Sequence, residues 1–227
     1  MPSEFPGSPQ LLKGALAVYE TDARGTQPEI IVFQYNPNQV KRTLANRAAP
    51  SESSNVGSAR EEVRRVLGPP KETITISVEL DAADQLAEPS QNSIVVENGL
   101  YPVLSTLEML LYPASIRVQE IEQLAAQGEV QLSPVDVPLL LLILGQSRVA
   151  PVMLTNFSIT EEAFDQNLNP IRAKVDLGMQ VLTYMELDSE SLGYDAYLAY
   201  QRQKESLAQQ HQSNSDATER ARGLLTF

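Results

Sequence analysis

"ETITISVEL", residues Glu72–Leu80, alternates without a break. Ile74, Ile76, Val78 and Leu80 fall on one face, and Thr73, Thr75, Ser77 and Glu79 on the other. Successive side chains of a strand point to opposite faces, so a period of two specifies a strand buried on one side and wetted on the other. The pattern returns in "IRAKVDLGMQVLTYMEL" (Ile171–Leu187). There Ile171, Ala173, Val175, Leu177, Met179 and Val181 face inward, and Arg172, Lys174, Asp176 and Gln180 outward. "APVMLTNFSITEEAFD" (Ala150–Asp165) alternates at Val152, Leu154, Phe157 and Ile159, with one slip near Asn156 that predicts a bulge. "PLLLLILG" (Pro138–Gly145) is apolar throughout and short, as a strand buried on both faces is.

Toward the N-terminus, "LLKGALAVYE" (Leu11–Glu20) and "IIVFQY" (Ile30–Tyr35) read as strands, with Ala15, Ala17 and Tyr19 on one face of the first. The turn cluster "DARGTQPE" between them predicts a hairpin. Asn36-Pro37-Asn38 then ends the ladder, because proline has no N–H to give a sheet. A basic turn with Lys41 and Arg42 follows.

The helical signals lie between the strands and after them. "DAADQLAE" (Asp81–Glu88) reads as one helical turn capped by Asp81. "NGLYPVLSTLEMLLYP" (Asn98–Pro113) carries Leu100, Leu104, Leu107 and Leu111 at helical spacing, and "SIRVQEIEQLAAQG" (Ser115–Gly128) is a weaker helix. After Leu187 the composition turns polar. A helix there sets Tyr194, Tyr197, Leu198 and Leu207 on a broad stripe. The expected fold is mainly β (α+β): a β-barrel or sandwich with one or two inserted helices and a C-terminal helical extension. Three parts are expected: a flexible arm over 1–10, a β domain over 11–187 and a helical extension over 188–227. The small, polar stretch 45–72 reads as a loop that is mobile alone and ordered by a partner, with a short helix over 59–67.

Composition narrows the function. The 227 residues hold 29 acidic and 17 basic side chains, a net charge of −12. That argues against nucleic acid as a partner, because a phosphate backbone demands a basic surface. No cysteine is present, which removes thiol nucleophiles, thiolate metal sites and disulfides. The start "MPSEFPGSPQ" lacks the features of a secretory signal, and "VPLLLLILG" is too short to span a bilayer. A soluble, cytoplasmically made chain without direct membrane insertion is expected.

Catalytic patterns are missing. The one histidine, His211, lies in a Gln/Ser-rich tail away from acidic partners. The sequence has no nucleophile elbow, Walker loop or dinucleotide fingerprint. The carboxylates Glu161, Glu162 and Asp165, and the pair Asp81 and Asp84, offer glycosidase-type acid/base chemistry on paper. They read more simply as a solvated strand end and a helix cap. No enzyme activity, cofactor or metal is expected. The pairs Lys41/Arg42 and Arg64/Arg65 read either as contacts for an acidic partner or as ordinary surface charge. Tyr194, Tyr197 and Tyr200 form either an interface anchor or a helix docked on its own sheet.

"IVFQYNPNQVKRTL" resembles the "F-x-[FY]-N-P-x-x-[LVY]-x-R" signature near the start of contractile injection system tube-type domains. Such domains form the N-terminal half of the LysM-containing tube-initiation and baseplate adaptor proteins of phage tail-like particles. The likeness continues to a closing motif carried here by Glu162, Phe164, Leu168, Pro170, Arg172, Ala173 and Val175. It spans about Leu11–Leu187. No LysM module is legible after it. The resemblance implies a tube-protein-like barrel that assembles as a homo-hexameric ring and joins the spike or hub to the inner tube. It implies the inner tube protein, the spike or hub protein and the baseplate wedge proteins as partners, inside a released or membrane-anchored particle. The candidate interface residues, from residue type and from the resemblance together, are Asn36, Pro37, Lys41, Arg42, Arg64, Arg65, Arg172, Tyr194, Tyr197 and Tyr200. The other readings are a cap-side tube terminator, a freestanding β-rich binding module and a hydrolase.

Overall fold

A computed structural model describes residues 12–47, 67–112, 115–126 and 137–213. The expected arm over 1–10, most of the 45–72 stretch with Arg64 and Arg65, and the end of the C-terminal extension lie outside these residues. The strands are β1 (Ala15–Tyr19), β2 (Glu29–Val32), β3 (Val40–Ala45), β4 (Lys71–Asp81), β5 (Leu139–Ile143), β6 (Val149–Phe164) and β7 (Pro170–Val181). The helices are α1 (Ala83–Leu86), α2 (Ser93–Asn98), α3 (Tyr101–Glu108), α4 (Ser115–Ala126) and α5 (Leu192–Ser213). The strands form a 7-stranded antiparallel sheet in the order β2-β1-β5-β6-β7-β4-β3.

The alternating strands behave as their parity demands. In β4, Ile74, Ile76, Val78 and Leu80 are buried and Thr73, Thr75 and Glu79 are exposed. In β7, Ala173, Val175, Leu177, Met179 and Val181 are all buried. These side chains join Leu16, Leu140, Leu142 and Val152 in the main core. β5 lies between β1 and β6 and buries Leu139–Leu142 on both faces. The slip in β6 is a register shift between Leu154 and Asn156, as the sequence pattern indicates.

The sheet curls. β2 and β3 are its two edges, yet only residues 33–39 join them. A flat seven-stranded sheet sets its edges about 29 Å apart, near the full reach of that connection. The connection is not stretched. The Phe33 N–H donates to Gly14 O at 2.9 Å, and Asn36 Oδ1 accepts the Gly14 N–H at 2.8 Å. On the other side, Gln34 Nε2 donates to Asp81 O at 2.6 Å and its Oε1 accepts the Asp81 N–H at 2.9 Å. Gln34 thus uses its side-chain amide as a strand uses its backbone, and ties the run after β2 to the end of β4. The result is a barrel-like curl with its seam between β2 and β3.

Helices sit at opposite ends of the β4–β7 pair. At one end α3 inserts Leu104 and Leu107 into the core, flanked by Leu100 and Leu110. At the other, α5 inserts Tyr200. α5 also covers the outer face of β1 and β5, where Ala17, Leu139 and Leu141 meet Leu192 and Ala196.

Several expectations are corrected. Lys41 and Arg42 lie in a strand and not in a turn, because β3 pairs with β4 from Val40↔Ile76 to Ala45↔Lys71. Ala45, Lys71 and Glu72 therefore belong to strands and not to a loop. β2 stops at Val32, before the proline. β7 stops at Val181, where Glu186 Oε2 accepts the Thr183 N–H at 3.0 Å and folds the chain into a turn. The helix read over 98–113 is shorter, Tyr101–Glu108, with the separate α2 ending just before Gly99, and Leu110 is buried in place of Leu111.

The β6–β7 turn holds the one non-glycine residue with positive φ among the described residues, Leu168 at 65°. Asp165 Oδ1 stabilises this turn by accepting the Asn167 and Asn169 N–H groups at 2.7 and 2.8 Å. Leu168 is 73% exposed, so it gains nothing from packing. Asparagine tolerates this conformation better than leucine. Leu168→Asn is expected to raise stability by about 0.5–1 kcal/mol, read as a higher urea midpoint at unchanged slope. A lower midpoint contradicts the strain.

Candidate assembly interface

β3 and β4 place Arg42 and Glu72 on the same, inward face of the sheet. Glu72 shares the parity of Ile74 and Ile76 and is only 3% exposed. A buried carboxylate demands partners, and Glu72 has three. Arg42 Nε donates to its Oε1 at 2.7 Å, the Tyr200 hydroxyl donates to the same oxygen at 2.9 Å, and Lys204 Nζ donates to Oε2 at 2.8 Å. Lys204 Nζ also lies 3.9 Å above the Tyr200 ring. Burial alone would raise the Glu72 pKa. The bonds from Lys204, Arg42 and Tyr200 outweigh it and hold the carboxyl below the ordinary range. Burial, with the neighbouring Glu72 charge, pushes the Tyr200 hydroxyl up to about 12. The cluster is therefore an ionised acid held by two cations and a neutral phenol.

The same helix is tied at its other end. Asp22 Oδ1 accepts the Gly193 N–H at 2.8 Å, and Arg24 forks onto Asp195 at 2.7 and 3.1 Å. This second pair is exposed and adds little energy. Its importance is positional. Asp22 and Arg24 lie in the β1–β2 turn, while Arg42 and Glu72 lie in β3 and β4. α5 thus fastens the two outermost hairpins of the sheet to one rigid element, a brace across the seam. Arg47 adds to it by pairing with Glu186, just before α5, and donating Nε–H to Pro69 O at 3.0 Å.

The structure brings some of the sequence-proposed residues together and separates others. Arg42 and Tyr200 meet at Glu72. Tyr197 is buried beside Tyr184, ring centroids 6.0 Å apart and edge-on, and Tyr194 is half-buried. The tyrosine stripe docks α5 on its own sheet. Leu207 is not part of it and lies exposed with the second half of the helix. Asn36 holds the seam through Gly14 and Leu12, with Pro37 immediately after it. Arg172 lies elsewhere, forked onto Asp81 Oδ2 at 3.0 and 2.9 Å. Lys41 is exposed on β3, with no ion-pair partner among the described residues.

Glu72 and Gln34 escaped the sequence reading. Glu72 carried a signal: an acid at an inward position of the cleanest strand. Gln34 carried none.

Two of the carboxylates considered for catalysis, Asp165 and Asp81, have structural work. Asp165 caps its own turn. Asp81 accepts the Ala83 N–H at 2.8 Å as well as the Arg172 fork. A depression of about 370 Å³ beside them is lined by Tyr35, Glu79, Asp81, Glu162, Arg172 and Lys174. Its charges are mixed in sign, and Arg172 pairs with Asp81 across it. Among the described residues, no group of three or more His, Asp or Glu side chains is placed to hold a metal ion.

Two parts of the sheet remain open among the described residues. β2 and β3 each pair on one side only. Their exposed apolar side chains include Ile30 at 49%, Val32 at 54% and Leu44 at 53%. The outer face of β4 and β7 is a polar wall of Thr73, Thr75, Glu79 and Arg172, with Lys174, Asp176 and Gln180 half-exposed. No helix among the described residues is long and apolar enough to cross a membrane.

No protein-family model matches the chain, and no curated protein matches it. Solved structures similar to it include the tail of an empty GTA particle, computed with helical refinement and C6 symmetry. The alignment has 15% identity over 74% of this chain and 90% of that chain, with a TM-score of 0.27.

Proposed function

We propose that the chain is a structural, non-enzymatic component of a phage tail-like contractile particle. It forms a ring at the baseplate, joins the spike or hub to the inner tube and templates tube growth. The observation that carries the proposal is that the two edges of one curled sheet, β2 and β3, each pair on one side only among the described residues. An uncovered edge strand offers a row of free N–H and C=O groups and calls for a neighbour. Two different edges make a head-to-tail contact, and head-to-tail contacts close rings when the rotation allows. The polar wall of β4 and β7 suits a hydrated channel inside such a ring. The signature around Asn36-Pro37 and the closing motif to Val175 support the same reading.

Within it, Lys41 is the exposed cation on the β3 edge, while Arg42 is committed to Glu72. Lys41→Glu is therefore expected to keep the fold, with stability changed by less than about 0.5 kcal/mol, and to reduce incorporation into particles. Measurement needs the thermal midpoint of the pure variant and its fraction in sedimented particles. A folded variant that incorporates normally removes Lys41 from the interface.

A further inference from the structure

β3 keeps one side open among the described residues, and the start of the chain stands beside that side. Gln34 holds the Asp81 backbone on one side of the run from β2 to β3. Asn36 holds the other: its Nδ2 donates to Leu12 O at 3.1 Å, and its Oδ1 accepts the Gly14 N–H at 2.8 Å. β3 then pairs with β4 on the Asp81 side. Its open side is therefore the one where Leu12, the first described residue, lies. β1 runs antiparallel to β2, from Ala15↔Val32 back to Gly14 O, which accepts the Phe33 N–H. Read backward from Leu12, the same course leads past Asn36 toward Val40 and along β3. Eleven residues precede Leu12. Extended, they reach about 36 Å, and the stretch from Asn36 to Ala45 spans about 30 Å.

We propose that the chain's own residues 1–11 cover the open side of β3 as an added antiparallel strand. Tethering decides among occupants. A segment fixed at Leu12 meets β3 at an effective concentration in the millimolar range, which a separate molecule does not reach in dilute solution. A second β3 paired about a two-fold axis would set Lys41 and Arg42 against their own copies. Residues 1–11 instead bring one charged side chain, Glu4, toward Lys41, which is exposed and has no ion-pair partner among the described residues. Pro2, Pro6 and Pro9 suit an outermost strand, because proline gives no N–H to a further one. The covering does not depend on the ring. Its consequence rests on that reading: β3 meets the next copy only after residues 1–11 give way, so they guard the joint against premature pairing.

The first test is photo-cross-linking of the pure full chain in dilute solution, with a photoreactive phenylalanine in place of Phe5. The expected product has the mass of one chain, and peptide mass spectrometry maps its cross-link to residues 39–46. An adduct between two chains, an adduct elsewhere in the chain or no adduct overturns the proposal. Hydrogen exchange gives the second test. Every second amide of an edge strand points away from its partner and exchanges freely unless something covers it. All the amides of β3, Val40–Ala45, are expected to be protected. Ser3→Pro, Glu4→Pro and Phe5→Pro together remove N–H donors from the added strand and should speed exchange at every second β3 amide about tenfold or more. Amides of β7 that keep their protection verify that this variant is folded. Freely exchanging β3 amides in the native chain, or an unchanged rate in the variant, overturn the proposal. Sedimentation with particles is scored separately, so failure of the ring reading and failure of this one are distinguishable.

Discussion

Glu72→Ala is expected to lower stability by about 3 kcal/mol, the lower part of the range for breaking a buried ion pair. The lower part applies because Arg42 and Lys204 keep side-chain exposures of 31% and 36% and recover some hydration. Tyr200 has less recourse: it is 4% exposed and its hydroxyl loses its acceptor. For a chain of this size the thermal midpoint should fall by about 6–12 °C. Glu72→Gln keeps the shape and one acceptor and should lose less.

The pH dependence gives a second readout. The Glu72 pKa is lowered in the fold, so its stabilisation is complete above the ordinary carboxyl value of about 4.3 and drains away as pH falls toward the lowered one. The gap between the native chain and Glu72→Gln should narrow in that window. Tyr200 works in the opposite sense. Its pKa is raised to about 12, so stability is complete below the ordinary value near 10 and is lost as pH rises from there. Tyr200→Phe removes that alkaline loss. A Glu72→Ala chain within about 0.5 kcal/mol of the native one contradicts the cluster as the lock that holds α5 across the seam.

Gly99→Ala is expected to cost about 3 kcal/mol. Gly99 has φ +59°, and an added Cβ would come within 2.4 Å of Pro170 O and 3.0 Å of Asn169 Cβ. The first of these atoms is backbone and cannot step aside, because Pro170 O also accepts the Leu100 N–H at 2.8 Å. The substitution forces α3 away from the start of β7 and takes Leu100 and Leu104 partly out of the core. Gly25→Ala separates the two contributions. Gly25 has φ +86° with nothing near its missing Cβ, so it should show the conformational cost alone, about 1 kcal/mol. Urea midpoints of the two variants measure the difference. Equal losses contradict the close approach of α3 to Pro170.

What the sequence disclosed follows from where burial left a mark. β4, β6 and β7 face a core on one side, and their period shows it down to the bulge at Asn156, while β5, buried on both faces, shows it as an unbroken apolar run. β3 leaves no such mark, because its residues are exposed or half-buried and carry no apolar rhythm; its pairing is dictated by the open side of β4. The register of α3 was misjudged by one residue for a local reason. After Glu108 the chain tightens, with the Leu110 and Leu111 N–H groups bonding to Leu107 O and Glu108 O. That three-residue turn rotates Leu110 inward, where a continuing α-helix would have placed Leu111.

The candidate interface was legible in half. Arg42, Asn36 and the tyrosines stood out by residue type. Their meeting points did not, because Glu72 and Arg42 are brought together across strands and joined to Tyr200 by a helix 128 residues away from Glu72 in sequence. Basic and aromatic residues that look like an interface therefore divide into those already engaged within the fold, Arg42 and Tyr200, and the exposed Lys41.

The measurement that tests the central claim most directly is sedimentation of the tagged chain from its native producer, with quantitative mass spectrometry of the heavy fraction. Sheath, tube and spike proteins are expected in the same fraction, with this chain at a small, fixed copy number that suits one ring at one end. A light, unaccompanied species would contradict it, and so would a copy number equal to that of the tube.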